Sequence, residues 1–326
     1  MTSPRVPLTV IGGFLGAGKT TLLNHWLRQA QGRRIAVLVN DFGAINIDAE
    51  LIASADGDII ALTNGCVCCQ IGDDLSVALI GVLKAPVPFD AVVIEASGVS
   101  DPWRIAQMGM ADPGLSLDGV IVLVDASVAR EQARDPLLAD ALERHLKAAD
   151  LVVLNKTDLV DEPVLVQVRK WIAAVAGPTP QFETVQADVP QQLLGGHGLQ
   201  LPPPGGCARG DAPHDAGRRA GYDHQHPHDH PHDHGEMFET WSCRPDALFS
   251  AERLRALLRS MPAGVLRLKG LLRTDTLDWA EIQFAGRHGS LRRTRAPVGG
   301  AAVVAIGLRT RLPVAALSDA LDACQL

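Results

Sequence analysis

Gly13-Phe14-Leu15-Gly16-Ala17-Gly18-Lys19-Thr20 directly follows the apolar run Leu8-Thr9-Val10-Ile11 and opens a stretch of helical periodicity over residues 20–30. Every fixed position of the G-x-x-x-x-G-K-[ST] phosphate-loop pattern is filled, in the strand–loop–helix context that the pattern requires. Its glycines let backbone N–H groups close around a β-phosphate, and the helix start adds a favourable dipole. Lys19 brings a point charge to the β- and γ-phosphate oxygens, and Thr20 offers a hydroxyl to Mg²⁺. Thr21, next on the helix, joins the expected nucleotide contacts. A chance Gly-rich turn is the competing reading, and the context argues against it. The spacing predicts a nucleoside triphosphate site.

Outward from that loop, apolar runs at residues 8–11, 35–39, 59–62, 91–94, 120–124 and 151–154 alternate with helical patterns at 20–30, 74–83, 137–149 and 163–176. The runs are short and rich in Val and Ile, as strands covered on both faces are. Their alternation with helices predicts an α/β fold, a doubly wound, mostly parallel sheet over residues 1–192. Ligands of such a sheet belong at the carboxyl ends of its strands. The pattern breaks over residues 193–235, where Pro202-Pro203-Pro204-Gly205-Gly206 precedes an alternating histidine run. This composition reads as a flexible, low-complexity linker. Residues 236–326 then read as a small α+β domain, with strands expected at 237–243, 264–272, 277–284 and 301–306 and helices at 251–260 and 313–323.

A chain of 326 residues accommodates two such domains. With 47% apolar and 21% charged residues it has material for a buried core. Its net charge of −7 gives no overall footprint for nucleic acid. No apolar run reaches the roughly 20 residues of a bilayer span, and the start of the chain lacks a signal-like core. A cytoplasmic protein with neither membrane nor nucleic-acid partner is expected.

Asn155-Lys156-Thr157-Asp158 follows the apolar run 151–154 and has the form of the N-K-x-D guanine-recognition element. A carboxylate at Asp158 accepts from guanine N1–H and N2–H₂ together, whereas adenine offers no such pair. Lys156 would lie along the base plane, and Asn155 would brace the loop. An Asn/Asp turn capping the next helix is the plainer alternative. Glu95 closes the buried run 91–94, where an acid rarely sits without a partner, and is expected at the catalytic centre with Lys19 and Thr20. Gly98 is placed to offer its N–H to a γ-phosphate. Asn40-Asp41-Phe42-Gly43 occupies the first switch position, with Asp41 either a metal ligand or a solvated turn residue. No glutamine follows Gly98 to orient water, so slow intrinsic hydrolysis of GTP to GDP is expected.

Six cysteines are too few for a disulfide scaffold, and three of them crowd into Cys66-Val67-Cys68-Cys69. That crowding favours metal or redox chemistry in a reducing compartment. Cys66, Cys68 and Cys69 reach one ion if the chain turns, and thiolates favour Zn²⁺ or Co²⁺ over Mg²⁺. Apolar filling of a core and a vicinal Cys68–Cys69 redox pair are the alternatives. His224, His226, His228, His230, His232 and His234 line one side of an extended segment, an auxiliary arm suited to scavenging Zn, Co, Ni or Cu, or simply a biased linker. The isolated His25, His145 and His288 carry no assignment.

Taken together, the phosphate loop, Asn40–Gly43, Gly65–Cys69, Glu95-Ala96-Ser97-Gly98 with Asp101-Pro102, and Asn155–Asp158 make the sequence resemble the CobW-type members of the CobW/HypB/UreG GTPases. The resemblance covers the first ~190 residues well and the remainder more loosely. It implies a GTP-hydrolysing metallochaperone that holds zinc, or cobalt, on the C-x-C-C motif and passes it to a client metalloprotein or cofactor pathway. One departure is Asp41, where the family usually carries Glu. A metal buffer with a regulatory nucleotide and a signalling GTPase with a structural zinc are the rival functions. Homodimerisation across the nucleotide face stays open.

Overall fold

The computed structural model describes residues 5–30, 32–41, 59–63, 71–98, 100–195, 208–211, 238–286, 288–297 and 299–326. They divide into two compact units, Met1–Gly198 and Leu199–Leu326. The first is built on a parallel sheet of β1 (Val6–Gly13), β2 (Ile35–Asp41), β3 (Ile59–Thr63), β4 (Ala91–Glu95), β5 (Leu115–Asp125), β6 (Leu151–Asn155) and β7 (Gln181–Glu183), in the order β3-β2-β4-β1-β5-β6-β7. The expected alternation is met, and the strands are apolar because helices cover both sheet faces. Leu8, Val10, Val92, Ile94, Val122, Val152 and Leu154 share one core with side chains from α2 (Ile71–Leu83), α3 (Pro102–Ala111), α5 (Ala139–Ala148) and α6 (Glu162–Ala176). Ile11, Val93, Leu123 and Val153, one residue along each strand and so on the opposite face, are as fully buried. Leu22, Leu23 and Trp26 of α1 (Lys19–Arg28) are buried too. A short α4 (Ala129–Gln132) and α7 (Gln191–Leu194) complete this unit's described helices.

Local chemistry fixes where these helices begin. Asp101 caps α3 by accepting from Trp103 N at 2.9 Å, and Asp161 caps α6 by accepting from Val164 N at 3.1 Å. Each is followed by a proline in the first turn, where a missing N–H costs nothing. The α3 helix was absent from the pattern reading because its Gly and Met content blurs the 3.6-residue period.

The second unit is an antiparallel sheet in the order β13-β12-β11-β14-β9-β8, with β10 (Leu248–Phe249) added in parallel to β11. Its strands are β8 (Ala208–Asp211), β9 (Phe238–Cys243), β11 (Val265–Thr274), β12 (Asp278–Ala285), β13 (His288–Arg293) and β14 (Ala302–Leu308). Helices α8 (Ala251–Arg259) and α9 (Val314–Asp322) bury Leu254, Leu257, Leu258, Leu317 and Leu321 with Leu268, Ile282, Phe284 and Val303 of the sheet. The short β7 and β10 went unanticipated, and so did β13 and β8, the latter inside the stretch expected as linker. Strands β8 and β13 are edge strands, and β13 is half-exposed along its length, so neither shows the alternation that marks a buried strand. No described helix is long and apolar enough to cross a membrane.

Phe249 is fully buried in the second unit's own core. Phe249→Ala is expected to cost that unit about 3–5 kcal/mol. In scanning calorimetry the loss falls on one unfolding transition, while the transition that responds to added nucleotide stays in place. An equal shift of every transition would show instead that the two units melt as one.

Candidate functional site

The site is assembled at the carboxyl ends of β1, β4, β5 and β6. Helix α1 starts at Lys19 with Gly18 at its N-cap in left-handed backbone, φ 104°, with neither a side-chain cap nor an acid in its first turn. Its first N–H groups have no intrahelical acceptor, and with the helix dipole they form an anion site. Lys19 is buried and donates to the Phe14 carbonyl at 3.2 Å, which lays its ammonium along the loop. Thr21 and Leu15 are exposed.

Thr20 Oγ1 donates to Glu95 at 3.2 Å from Oε1. Glu95 ends β4 in register with Ile11 of β1 and Val39 of β2, and is 2% exposed. The loop's last helical hydroxyl and the strand-end carboxylate, 75 residues apart, therefore form one pair of hard oxygen donors. The turn that follows lies flat on the phosphate loop. A Cβ on Gly98 would stand 2.7 Å from Leu15 N and 3.3 Å from Phe14 C, so only glycine allows this approach.

At the other end, the buried Asn155 donates from Nδ2 to the Ala17 carbonyl at 2.9 Å and accepts on Oδ1 from the Ala187 amide at 2.7 Å. A Cβ on Gly18 would fall 2.5 Å from that Nδ2. Asn155 thus ties the phosphate loop to the segment after β7. Lys156 adopts left-handed backbone, φ 60°, and its ammonium pairs with Asp125 Oδ2 at 2.6 Å. Burial pushes the Asp125 carboxyl up, but hydrogen bonds from Lys156 and Ser127 outweigh it and hold it below the usual range. Asp158 sits exposed in the 3₁₀ turn Thr157–Leu159, where a carboxylate is open to a ligand.

Two parts of this end were not anticipated. Asp125 ends an apolar strand just as Glu95 does, and the rule that singled out Glu95 applies to it equally. Residues 184–188 form a loop closed by Thr184 Oγ1 on the Asp188 carbonyl at 2.6 Å, with Gln186 and Ala187 both at φ 53°. Nothing in their composition announces left-handed backbone, which non-glycine residues adopt only where surroundings impose it.

Of the expected metal ligands, Asp41 ends β2 with its backbone in register with Thr63 of β3. Cys66, Cys68, Cys69 and the histidines from His224 to His234 lie outside the described residues. Among the described residues no group of three His, Cys, Asp or Glu is arranged to hold a metal ion.

Comparison with known proteins agrees with this geometry. Residues 7–182 match the CobW/HypB/UreG nucleotide-binding domain, and residues 238–325 match the cobalamin synthesis protein cobW C-terminal domain. The zinc chaperone CobW of Sinorhizobium sp is 35% identical over 224 residues, which cover 60% of this chain and 63% of that protein. The zinc chaperone YjiA of Escherichia coli (strain K12) is 38% identical over 197 residues, covering 58% and 60%. The chain thus spans about three fifths of the length of these curated relatives. The crystal structure of the Zn(II)-bound YjiA GTPase from E. coli aligns over 99% of this chain and 100% of that one, at 23% identity and a TM-score of 0.46. With one family domain matched across more than half of its residues and the companion C-terminal domain matched after it, the chain belongs to the CobW/HypB/UreG family.

Proposed function

We propose that this chain is a GTP-hydrolysing metallochaperone that carries Zn²⁺, with Co²⁺ the alternative cargo, on Cys66, Cys68 and Cys69 and hands it to a client metalloprotein. The observation that carries the nucleotide half is the Asn155 bridge, which joins the phosphate loop to the N-K-x-D element at 2.9 Å. The cargo half rests on the cysteine motif and on relatives named as zinc chaperones.

The residues divide the work by charge. Backbone N–H groups of the loop and the first turn of α1 hold the β-phosphate, and Lys19 exchanges the Phe14 carbonyl for phosphate oxygens. Thr20 and Glu95 fit Mg²⁺, since a hydroxyl and a buried carboxylate are the hard oxygens that ion takes beside phosphates. When bound, Mg²⁺ supplies charge neutralisation at the β- and γ-phosphates. Gly98, held against Leu15, presents the turn after Glu95 to the γ-phosphate. Asp158 reads guanine while Asp125 fixes Lys156 beside it.

Metal and nucleotide are coupled along the row of strand ends. Thr63, Asp41, Glu95 and Gly13 close neighbouring strands in that order, so the cysteine motif begins three residues past a strand end about 14 Å from the phosphate-loop strand. Asp41 lies between. For hydrolysis to turn a 99% loaded carrier into a 1% loaded one, the two states must differ about 10⁴-fold in metal affinity, about 5.5 kcal/mol. Loss of one thiolate ligand is a change of that order. Reduced thiolates fit a cytoplasmic setting. A buffer built on the histidine arm loses its function when residues 221–235 are deleted, whereas a chaperone loses mainly capacity.

Asp158→Asn is expected to weaken GTP binding roughly 10–100-fold, because an amide cannot accept from both guanine donors. Competition with xanthosine and adenosine triphosphates checks it, and an unchanged preference for GTP refutes the guanine assignment. Replacing Cys66, Cys68 and Cys69 together with serine is expected to abolish the tight metal site while GTP still binds. In the wild type Zn²⁺ changes GTP turnover, and in the triple variant it does not. An identical metal response in both proteins would move the regulatory site to Asp41 or the histidine arm, and equal Zn²⁺ affinity with GTP and GDP would leave the zinc merely structural.

A further inference from the structure

His145 is the buried polar side chain for which the nucleotide reading has no use. It lies on α5, is 1% exposed, and its ring stacks on that of Phe14 in the phosphate loop, centroids 5.4 Å apart and planes 20° from parallel. Neither ring nitrogen makes a hydrogen bond of good geometry, and the polar group that faces the ring is the Ser100 backbone. Burial holds the ring at a pKa of about 4, against the Ser100 backbone and the Asp101 carboxylate, which favour the proton, and with Lys19 and Arg144, which oppose it. The imidazole is therefore neutral at physiological pH and carries one N–H to donate.

Its surroundings are the phosphate loop and the turn after Glu95. Phe14, under the imidazole, supplies the carbonyl that holds Lys19. The turn containing Gly98 and Ser100 presses on the Phe14–Leu15 peptide. Ser97 and Ser100 hydroxyls meet at 2.7 Å within that turn, and Asp101 then caps α3. One ring thus touches the phosphate loop and borders the turn that follows Glu95.

We infer that His145 is a positioning residue for GTP hydrolysis: its N–H faces the Ser100 backbone and, with the ring stacked on Phe14, holds the turn after Glu95 against the phosphate loop. The inference rests on the GTPase reading above. When Lys19 takes phosphate in place of the Phe14 carbonyl, the imidazole stacked on Phe14 keeps Ser100 and the Asp101 cap of α3 in place beside the loop. A purely structural histidine would be replaced by an aromatic hydrocarbon without loss, because the ring stacking is kept and two unpaired polar atoms disappear.

The test uses the full chain. His145→Phe is expected to keep GDP affinity within about twofold and the thermal midpoint at or above the wild-type value, while kcat falls about tenfold, the worth of one hydrogen bond. His145→Gln, which restores a donor, recovers most of that loss. Hydrogen exchange supplies a second readout. A non-hydrolysable GTP analogue slows exchange in residues 96–105 of the wild type and does not in His145→Phe. Wild-type turnover and protection in His145→Phe would overturn the inference. So would a wild type whose residues 96–105 gain no protection from nucleotide, a measurement that stands even if the variant does not fold. Failure of the wild type to bind GTP at all removes the GTPase reading instead.

Discussion

The carboxamide of Asn155 sets the geometry on which the whole site depends. It is 2% exposed, and it spends its donor on Ala17 and its acceptor on Ala187, both of them buried. One side chain thereby joins the ends of β1 and β6 to the segment beyond β7. Removing it would strand a backbone carbonyl and a backbone amide in a dry environment, at about 1–3 kcal/mol each. The distance between phosphate loop and base-reading loop is accordingly fixed by the fold before any ligand arrives. The same tie explains Gly18, whose missing Cβ is the space the carboxamide occupies.

What could be read from the sequence was whatever repeats or sits at fixed spacing. The phosphate loop, the strands behind it and the N-K-x-D element are contiguous, and each lies where its local pattern puts it. What could not be read depends on partners far away in the chain. Lys156 was expected along a base plane, and its partner Asp125 lies 31 residues upstream, invisible until β5 and β6 pair at Asp125 and Asn155. The left-handed pair Gln186 and Ala187 is imposed by the Asn155 bond and the Thr184 closure, not by residue type. Edge strands β8 and β13 escaped because strand periodicity is a signal of burial, and an edge is half solvated. His145 was set aside as an ordinary core or surface residue, which its sequence context alone supports.

The proposed chemistry needs two metals of opposite character in one domain, and their donors follow different strands in the sequence. Thr20 and Glu95 present oxygen at the junction of α1 and β4, a donor set for a hard, strongly hydrated ion. The cysteines follow β3, beyond β2, where thiolates suit a softer ion. Were the two sets adjacent, Zn²⁺ at the thiolates would compete for Glu95 and displace the ion that the phosphates require. The strand that ends in Asp41 lies between β3 and β4 in the sheet, which makes it the route the proposed coupling would use.

Several polar groups at the phosphate loop are arranged for a ligand's acceptors. Helix α1 begins without a side-chain cap, Lys19 rests on a carbonyl of its own loop, and the imidazole stacked on Phe14 makes no hydrogen bond of good geometry. In the same unit Asp101 and Asp161 cap α3 and α6, while α4, α5 and α7 also begin without a side-chain cap. A chain selected for stability alone would cap α1 and place a hydrocarbon at position 145, since buried unpaired donors cost about 1–3 kcal/mol. Departures from local consistency gather where function demands them. Here they share a remedy, because a bound polyphosphate supplies acceptors to the α1 amides and to Lys19 and frees the Phe14 carbonyl. The nucleotide is then part of the folded state's hydrogen bonding, and the stability it adds by mass action is the same free energy that orders the turn beside Glu95. In the proposed cycle, hydrolysis weakens that hold at the γ-phosphate end first, the end at which Thr20 and Glu95 meet.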